Sequence, residues 1–347
     1  MARTLAIEAK DLSKTFHPRK PSKGIRQTLS DLVVPRYSDI QALRGIHMTI
    51  EYGRCVGLLG ANGAGKSTLV KLMCGIQTPT SGTLSVLGER PNRRSHSFLR
   101  RLGVVFGHKS SLWWDLPVAD SLDAYARIYR LDRAAYRSER AQLVECLNIG
   151  HVIDKPVRVL SLGERVKSEL VASLIHRPTL VFLDEPTIGL DVAARYELRE
   201  YLKQRTQSGH LTSIITSHDM NDIETCCQEV VLIDGGRVLH QGSITSLKKA
   251  LGTGSSISII LPDRPFTSQD GDRLRQLHAP QSMRSITLTT SGALHIVAPD
   301  HDSQQRILAD VYAFYPNSSI QVSDAPLEDA ILQHFLSSET PERRSRP

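Results

Sequence analysis

The sequence predicts an α/β protein on a mostly parallel sheet, followed by a smaller α+β domain of ferredoxin-like order. Three observations carry this. Short apolar runs such as "CVGLLG" (55–60), "TLVFLD" (179–184) and "TSIIT" (212–216) alternate with segments of helical periodicity, the pattern of strands buried on both faces. At either end of this region the strands instead suggest antiparallel patches: "TLAIEAKDLSKTF" at the start and the hairpin "EVVLIDGGRVLHQG" at the finish. Beyond "KKALGTGSS" the order becomes β, α, β, β, α, β. With 347 residues, the chain exceeds one ordinary domain.

The elements follow in order. "TLAIEAKDLSKTF" reads as a strand with a turn, and "IQALRGIHMTIEYGRCVGLLG" as further strands, the last ending in a buried run. A helix at "KSTLVKLMCGI", a strand pair in "SGTLSVLG" and a strand at "LGVVFG" come next. Helical patterns through "VADSLDAYARIYRL", "AAYRSERAQLVECLNI" and "SLGERVKSELVASLIH" outline a helical subdomain at about 108–175. After "TLVFLD" come a helix at "AARYELREYLKQRTQS", the strand "TSIITS" and the closing hairpin, so the first domain spans 1–247. The second, at 252–337, ends in a helix at "PLEDAILQHFL"; it holds no evident catalytic constellation and reads as an accessory or dimerisation domain. The polar tail 338–347 is expected to be disordered.

Charge and cysteine content narrow the class. Lys and Arg exceed Asp and Glu by 43 to 36, and much of the excess lies in "HPRKPSKGIRQ" and "RPNRRSHSFLRR". Such runs ordinarily form a solvated face, with an anionic surface the next reading. The five cysteines show no metal-ligand spacing, which suits a reducing cytosol. The N-terminus lacks the apolar core of a signal peptide, and no apolar run approaches the roughly 20 residues that cross a bilayer. Service at a membrane therefore requires spans from another chain.

"GANGAGKST" at 60–68 matches G-x-x-x-x-G-K-[ST] between a buried strand and a helix. Gly60, Gly63 and Gly65 let backbone N–H groups turn inward around phosphates, with Asn62, Ala64 and Thr68 completing the nucleotide-binding stretch. Lys66 reaches the β and γ phosphates and Ser67 ligates Mg²⁺. At the end of "TLVFLDEP", Asp184 is placed for Mg²⁺ and Glu185 to polarise an attacking water. His218 in "TSHDM" follows a third buried strand, a position that suits a γ-phosphate sensor.

"LSLGERVKSEL" from 160 is a capping-box helix start, Ser161 followed three residues on by Glu164. Here the chain resembles the nucleotide-binding subunit of ATP-binding-cassette (ABC) transporters, whose signature is L-S-G-G-Q. The resemblance covers roughly residues 5–247, with P-loop, signature, "LDEP", "GLD" and His218 in the family's order. It implies a P-loop ABC cassette and a head-to-tail dimer, in which ATP on Lys66 of one copy is closed by Ser161, Gly163 and Glu164 of the other, with Asp191 at the seam. Phe16 is similar to the aromatic that stacks on adenine, although a core role fits it nearly as well.

The resemblance also bears on "VVFGHKSSLWWDLP", which holds both tryptophans. In the family the segment after this strand is the Q-loop, where a Gln senses Mg²⁺ and the next residues meet the membrane subunit. Trp113 and Trp114 stand at that contact, and paired Trp rings make rigid interface anchors. The wording of this loop, together with "LSLGER", resembles bacterial type-two exporter ATPases related to daunorubicin-resistance ATPases, which also carry an extra C-terminal domain. Two residues depart from the pattern: His108 stands where Gln is usual, and Leu162 replaces a glycine. A neutral His108 can still accept from a Mg²⁺-bound water or bind the metal; Leu162 is expected to be tolerated. A basic insertion at about 17–40 is longer than the usual loop.

The expected function is thus an ATPase, with ATP and Mg²⁺, that energises export through separate permeases at the cytoplasmic face of the bacterial inner membrane. No nucleic acid is expected. The alternative, an ABC ATPase acting on ribosomes or DNA, fits less well, because ribosomal relatives carry two cassettes and DNA-repair relatives a long coiled coil.

Overall fold

The computed structural model describes residues 4–18, 37–106, 110–217, 219–252, 254–277, 283, 285–289, 292–324, 327, 328 and 331. His108, His218, most of the basic insertion, most of "PLEDAILQHFL" and the polar tail lie outside these residues. The chain forms two compact units, Met1–Ser243 and Ile244–Pro347.

The first unit opens with β1 (Leu5–Phe16), β2 (Ile40–Glu51), β3 (Cys55–Leu59), α1 (Lys66–Met73) and β4 (Ser81–Val86). Next come α2 (His96–Arg100), β5 (Leu102–Val105), α3 (Val118–Ile128), α4 (Arg133–Cys146) and α5 (Leu162–Leu174). β6 (Leu180–Asp184), α6 (Val192–Gln207), β7 (Thr212–Thr216), α7 (Met220–Cys226), β8 (Glu229–Asp234) and β9 (Arg237–Ser243) complete it. β1 is one continuous strand: the turn expected within it is a register shift between Ala9 and Leu12, around Asp11 in left-handed backbone at φ 49°. "SGTLSVLG" likewise holds one strand, closed by a tight turn in which Val86 bridges Glu89.

Six strands form the main sheet in the order β5-β6-β7-β3-β8-β9, all parallel but for the antiparallel edge strand β9. β2, β1 and β4 form a separate antiparallel sheet. One core joins the two sheets through α1. Its Leu69, Val70, Leu72 and Met73 share a cluster with Ile7, Leu43 and Ile46 of the antiparallel sheet and with Val56, Phe182, Ile214 and Val231 of the parallel one. The topology has a direct consequence for chemistry: β6, β7 and β3 are adjacent and parallel, so the segments leaving their C-terminal ends emerge along one sheet edge.

The second unit contains α8 (Ile244–Leu251), β10 (Ser255–Ile260), α9 (Ser268–Leu277), β11 (Ser285–Leu288), β12 (Leu294–Ala298), α10 (His301–Phe314) and β13 (Ser319–Asp324). Its sheet is antiparallel throughout in the order β11-β12-β10-β13, the ferredoxin-like arrangement. Ile257, Ile259, Ile286, Leu294 and Ile296 of the sheet meet Leu274 of α9 and Ile307 and Val311 of α10 in its core. Arg264 and Thr267 converge on Asp270 and hold its carboxyl well below the usual range, which fastens the start of α9.

His176, just past α5, couples the helical layer to the parallel sheet. Its ring stacks on Tyr129 with centroids 4.0 Å apart, and Nε2 donates to the Leu102 carbonyl at 2.8 Å. Burial brings its pKa down to about 4. The unfolded chain therefore takes up a proton near pH 6.5 that the folded one refuses. Stability is full above that pH and is lost as pH falls toward about 4, by up to about 3 kcal/mol. Urea titrations at pH 7 and pH 5 should find His176→Phe less stable than the parent at pH 7, because the Leu102 carbonyl loses its donor, yet with a flatter pH dependence.

Candidate functional site

The loop between β3 and α1 is pressed from two sides. A Cβ on Gly65 would lie 2.7 Å from Leu43 Cδ2 and 2.8 Å from the Ala42 carbonyl, and one on Gly60 would collide with the Ile233 carbonyl. Gly236, in the turn between β8 and β9, donates its N–H to the Ala64 carbonyl at 3.0 Å, and Arg44 N–H reaches Gly236 at 2.8 Å. Sheet and turn thus hold a backbone whose Gly63 and Gly65 have φ of 81° and 111°, conformations that glycine adopts at little cost. Asn62, Gly63 and Ser67 are exposed, Thr68 is half-buried, and Ala64 packs inward. The Lys66 ammonium arches back over the loop, donating to the carbonyls of Gly60 at 2.5 Å and Ala61 at 3.1 Å. Burial lowers its pKa from the ordinary value, while Glu185 and Asp184 oppose the shift. The loop and the two acids therefore share one electrostatic neighbourhood.

Asp184 ends β6 and Glu185 follows it in left-handed backbone at φ 55°, unfavourable for a residue with a Cβ. Thr216, at the end of β7, stabilises that turn. Its hydroxyl donates to Asp184 Oδ1 at 2.6 Å and accepts the Glu185 N–H at 3.2 Å, and its carbonyl takes the same N–H at 3.1 Å. Behind these residues sits Asp222 of α7, 2% exposed. It accepts from Thr187 Oγ1 and from the Arg199 guanidinium, with Ser217 Oγ at 3.4 Å. Thr216, Thr187, Asp222 and Arg199 carry no sequence signature of their own, and only their offsets from Glu185 and His218 could have drawn attention to them.

Ser161 caps α5 with a complete capping box. Glu164 Oε2 accepts from the Ser161 N–H at 2.8 Å and from its hydroxyl at 2.7 Å, and the Glu164 N–H returns to Ser161 Oγ at 3.3 Å. The Ser161 contacts, with His151, hold the Glu164 carboxyl below its usual pKa. Glu164 thus positions the cap. Gly163 abuts the Gly189 carbonyl with no space for a Cβ. Lys167, one turn further along α5, donates to Asp191 Oδ2 at 2.7 Å and holds that carboxyl at about pKa 2. Asp191 also caps α6 through the Ala194 N–H at 2.9 Å.

Both tryptophans are exposed, Trp113 at 41% and Trp114 at 52%. The Trp113 ring lies 5.4 Å from Tyr125 of α3, and the Arg165 guanidinium of α5 lies 5.9 Å from the Trp114 ring. The segment is pinned where Leu112 is buried and where Arg158 and Val157 donate backbone N–H groups to the Trp114 and Leu116 carbonyls. Phe16, at the end of β1, is half-buried, with the Lys14 ammonium 5.2 Å from its ring centroid.

Comparison with known proteins matches the family described as ABC transporter to residues 43–188. The chain is 36% identical over 207 residues to the Nod factor export ATP-binding protein I of Ralstonia nicotianae, across 60% of this chain and 64% of that one. It thus spans just under two thirds of that relative's length. It is 30% identical over 208 residues to the ABC transporter ATP-binding protein NatA of Bacillus subtilis, across 60% of this chain and 84% of NatA. With the Daunorubicin resistance ATP-binding protein DrrA3 of Streptomyces coeruleorubidus, 29% identity extends over 301 residues, 87% of this chain and 92% of the relative. A solved ATP binding subunit of an ABC transporter shares the fold, at TM-score 0.60 and 24% identity over 71% of this chain and 93% of its own. The matched region encloses the pressed loop, the acids leaving β6 and the Ser161-capped helix, and it is from this agreement between geometry and kinship that we conclude that the chain belongs to the ABC transporter family, as an ATP-binding subunit.

Proposed function

We propose that the chain hydrolyses ATP to drive export of a substrate through separate membrane permeases, at the cytoplasmic face of the membrane. The observation that carries the catalytic part is the grouping of Lys66, Asp184 and Glu185 at one sheet edge, with Thr216 clasping the two acids. The inward-turned loop binds the phosphates, Lys66 neutralises the β and γ groups, and Glu185 takes the proton of the attacking water. Ser67 and Asp184 would hold Mg²⁺, whose chemistry there is to screen phosphate charge. His218 senses the γ-phosphate, His108 accepts from metal-bound water, and Phe16 stacks on the base.

Closure comes from a second copy. Ser161 is exposed at the start of α5, as is the apolar side chain of Leu162 there, and those of Ile188 and Val192 are exposed between Glu185 and the start of α6. A partner bringing Ser161 and Gly163 to the γ-phosphate covers them, with Asp191 at the seam. Export rests on kinship: two relatives are named for Nod factor export and daunorubicin resistance. No helix among the described residues is long and apolar enough to cross a membrane. This reading assigns the pathway to other chains, and the exposure of Trp113 and Trp114 supports them as the contact.

Two experiments test this reading. Glu185→Gln should still bind ATP and form a stable ATP-dependent dimer on size exclusion, while its turnover drops about 10²- to 10⁴-fold; parental turnover would assign the base elsewhere. Trp113→Ala/Trp114→Ala should leave ATP turnover of the isolated protein within about twofold while weakening capture by its co-expressed permease by about 30-fold or more. Unchanged capture would remove the tryptophans from the contact.

A further inference from the structure

The helices flanking the tryptophan segment carry arginines that the ATP cycle does not use. Arg127, Arg130, Arg133, Arg137 and Arg140 follow one another at intervals of three, three, four and three residues, the spacing of one helical face. The helix, however, is interrupted. α3 ends at Ile128, Arg130 takes left-handed backbone at φ 50°, and Asp132 caps α4 by accepting the N–H groups of Ala134 and Ala135 at 3.0 and 2.9 Å. The reversal turns a stripe into a concavity: all five arginines line one open cavity of about 390 Å³, with Asp123 the single acid in its wall.

Asp123 is already engaged, accepting from the Tyr136 hydroxyl and from Arg140 Nη1 at 3.2 Å. Arg127, Arg130, Arg133 and Arg137 have no ion pair among the described residues. The wall thus holds a formal surplus of four positive charges, more than half of the +7 of the whole chain. Like charges gathered in a concavity repel one another, and they focus a field that an anion of several charges neutralises. Guanidinium is the cation best matched to phosphate, since its planar fork donates two parallel N–H bonds to a pair of oxygens. Arginines approaching from two helices and the turn between them surround a ligand, which a flat basic face cannot do.

We propose that this cavity is a binding site for a clustered-phosphate anion, distinct from the nucleotide loop and built from different elements. The shared chemistry is a phosphate group of two or more charges, carried by a phosphomonoester lipid headgroup or by a soluble polyphosphate. The site is independent of the export reading, because it uses neither the nucleotide loop nor the tryptophans.

The test uses the full-length protein saturated with Mg–ADP, so that the nucleotide loop is filled. Tripolyphosphate is titrated by calorimetry, and flotation is measured with phosphatidylcholine vesicles with and without phosphatidic acid. Arg130→Asn/Arg133→Gln/Arg137→Gln removes three of the four surplus charges, and Arg90→Gln/Arg93→Gln/Arg94→Asn removes the same net charge elsewhere; both should keep parental ATP turnover, which confirms folding. The expected result is saturable binding of one probe by the parent, weakened about 100-fold or more in the cavity variant and less than about threefold in the control. A response to tripolyphosphate identifies a soluble ligand, and a response only to phosphatidic acid a lipid headgroup. Absence of saturable binding to both probes, or equal losses in the two variants, would overturn the proposal.

Discussion

The structure depends on how closely other backbone approaches the loop after β3. The Ala42 and Ile233 carbonyls and the Leu43 side chain occupy the space where Cβ atoms of residues 65 and 60 would stand, and the turn at Gly236 hydrogen-bonds the Ala64 carbonyl. A flexible glycine loop would have to lose much conformational freedom before its N–H groups could converge on an anion. Here that ordering is done during folding, by the same core that joins the two sheets around α1. The antiparallel sheet therefore contributes to chemistry without supplying a catalytic side chain: β2 is the wall against which the loop is shaped.

A second layer of contacts makes one helix common to several parts of the proposed cycle. α5 starts at the Ser161 cap, abuts Gly189 through Gly163, binds Asp191 through Lys167 and faces Trp114 through Arg165. All four contacts fall within its first two turns, so a displacement of that helix end acts on the signature, the segment after Glu185 and the tryptophan corner together. Asp222 joins the other members, taking Thr187 from the strand-to-helix segment, Ser217 from the end of β7 and Arg199 from α6. These discrete, packed contacts join the signature helix, the segment after Glu185 and the end of β7 into one physical network.

Much of this was legible in the sequence, and the boundary is physical. Elements defined by periodicity or by obligatory backbone chemistry were readable: the buried strands, the capping box at Ser161 and the glycines of 60–65. Tertiary hydrogen bonds were not, because a threonine ending one strand and an aspartate in the next helix carry no local pattern linking them to Asp184 or Glu185. The turn expected within "TLAIEAKDLSKTF" is a bulge at Asp11 for a related reason, since a left-handed residue interrupts alternation whether or not the strand resumes. The arginine spacing was visible, but its meaning depends on a chain reversal at Arg130 that converts one face into two walls.

The departures from the family signature can be weighed on the same grounds. Two adjacent positions, 162 and 163, hold glycine in the pattern the chain resembles, and only the second does so here. Gly163 faces the Gly189 carbonyl at a separation that excludes any Cβ, so its demand is steric and arises within one molecule. The Leu162 side chain lies beside Gly189 and is 53% exposed, so the protomer accommodates it. What Leu162 changes is the surface offered to whatever closes over Ser161: it places an apolar side chain beside a polar cap, at the point where a second copy would arrive. Loss of a glycine there leaves the helix start intact and adds apolar area to the proposed seam, which favours association when water is expelled from it.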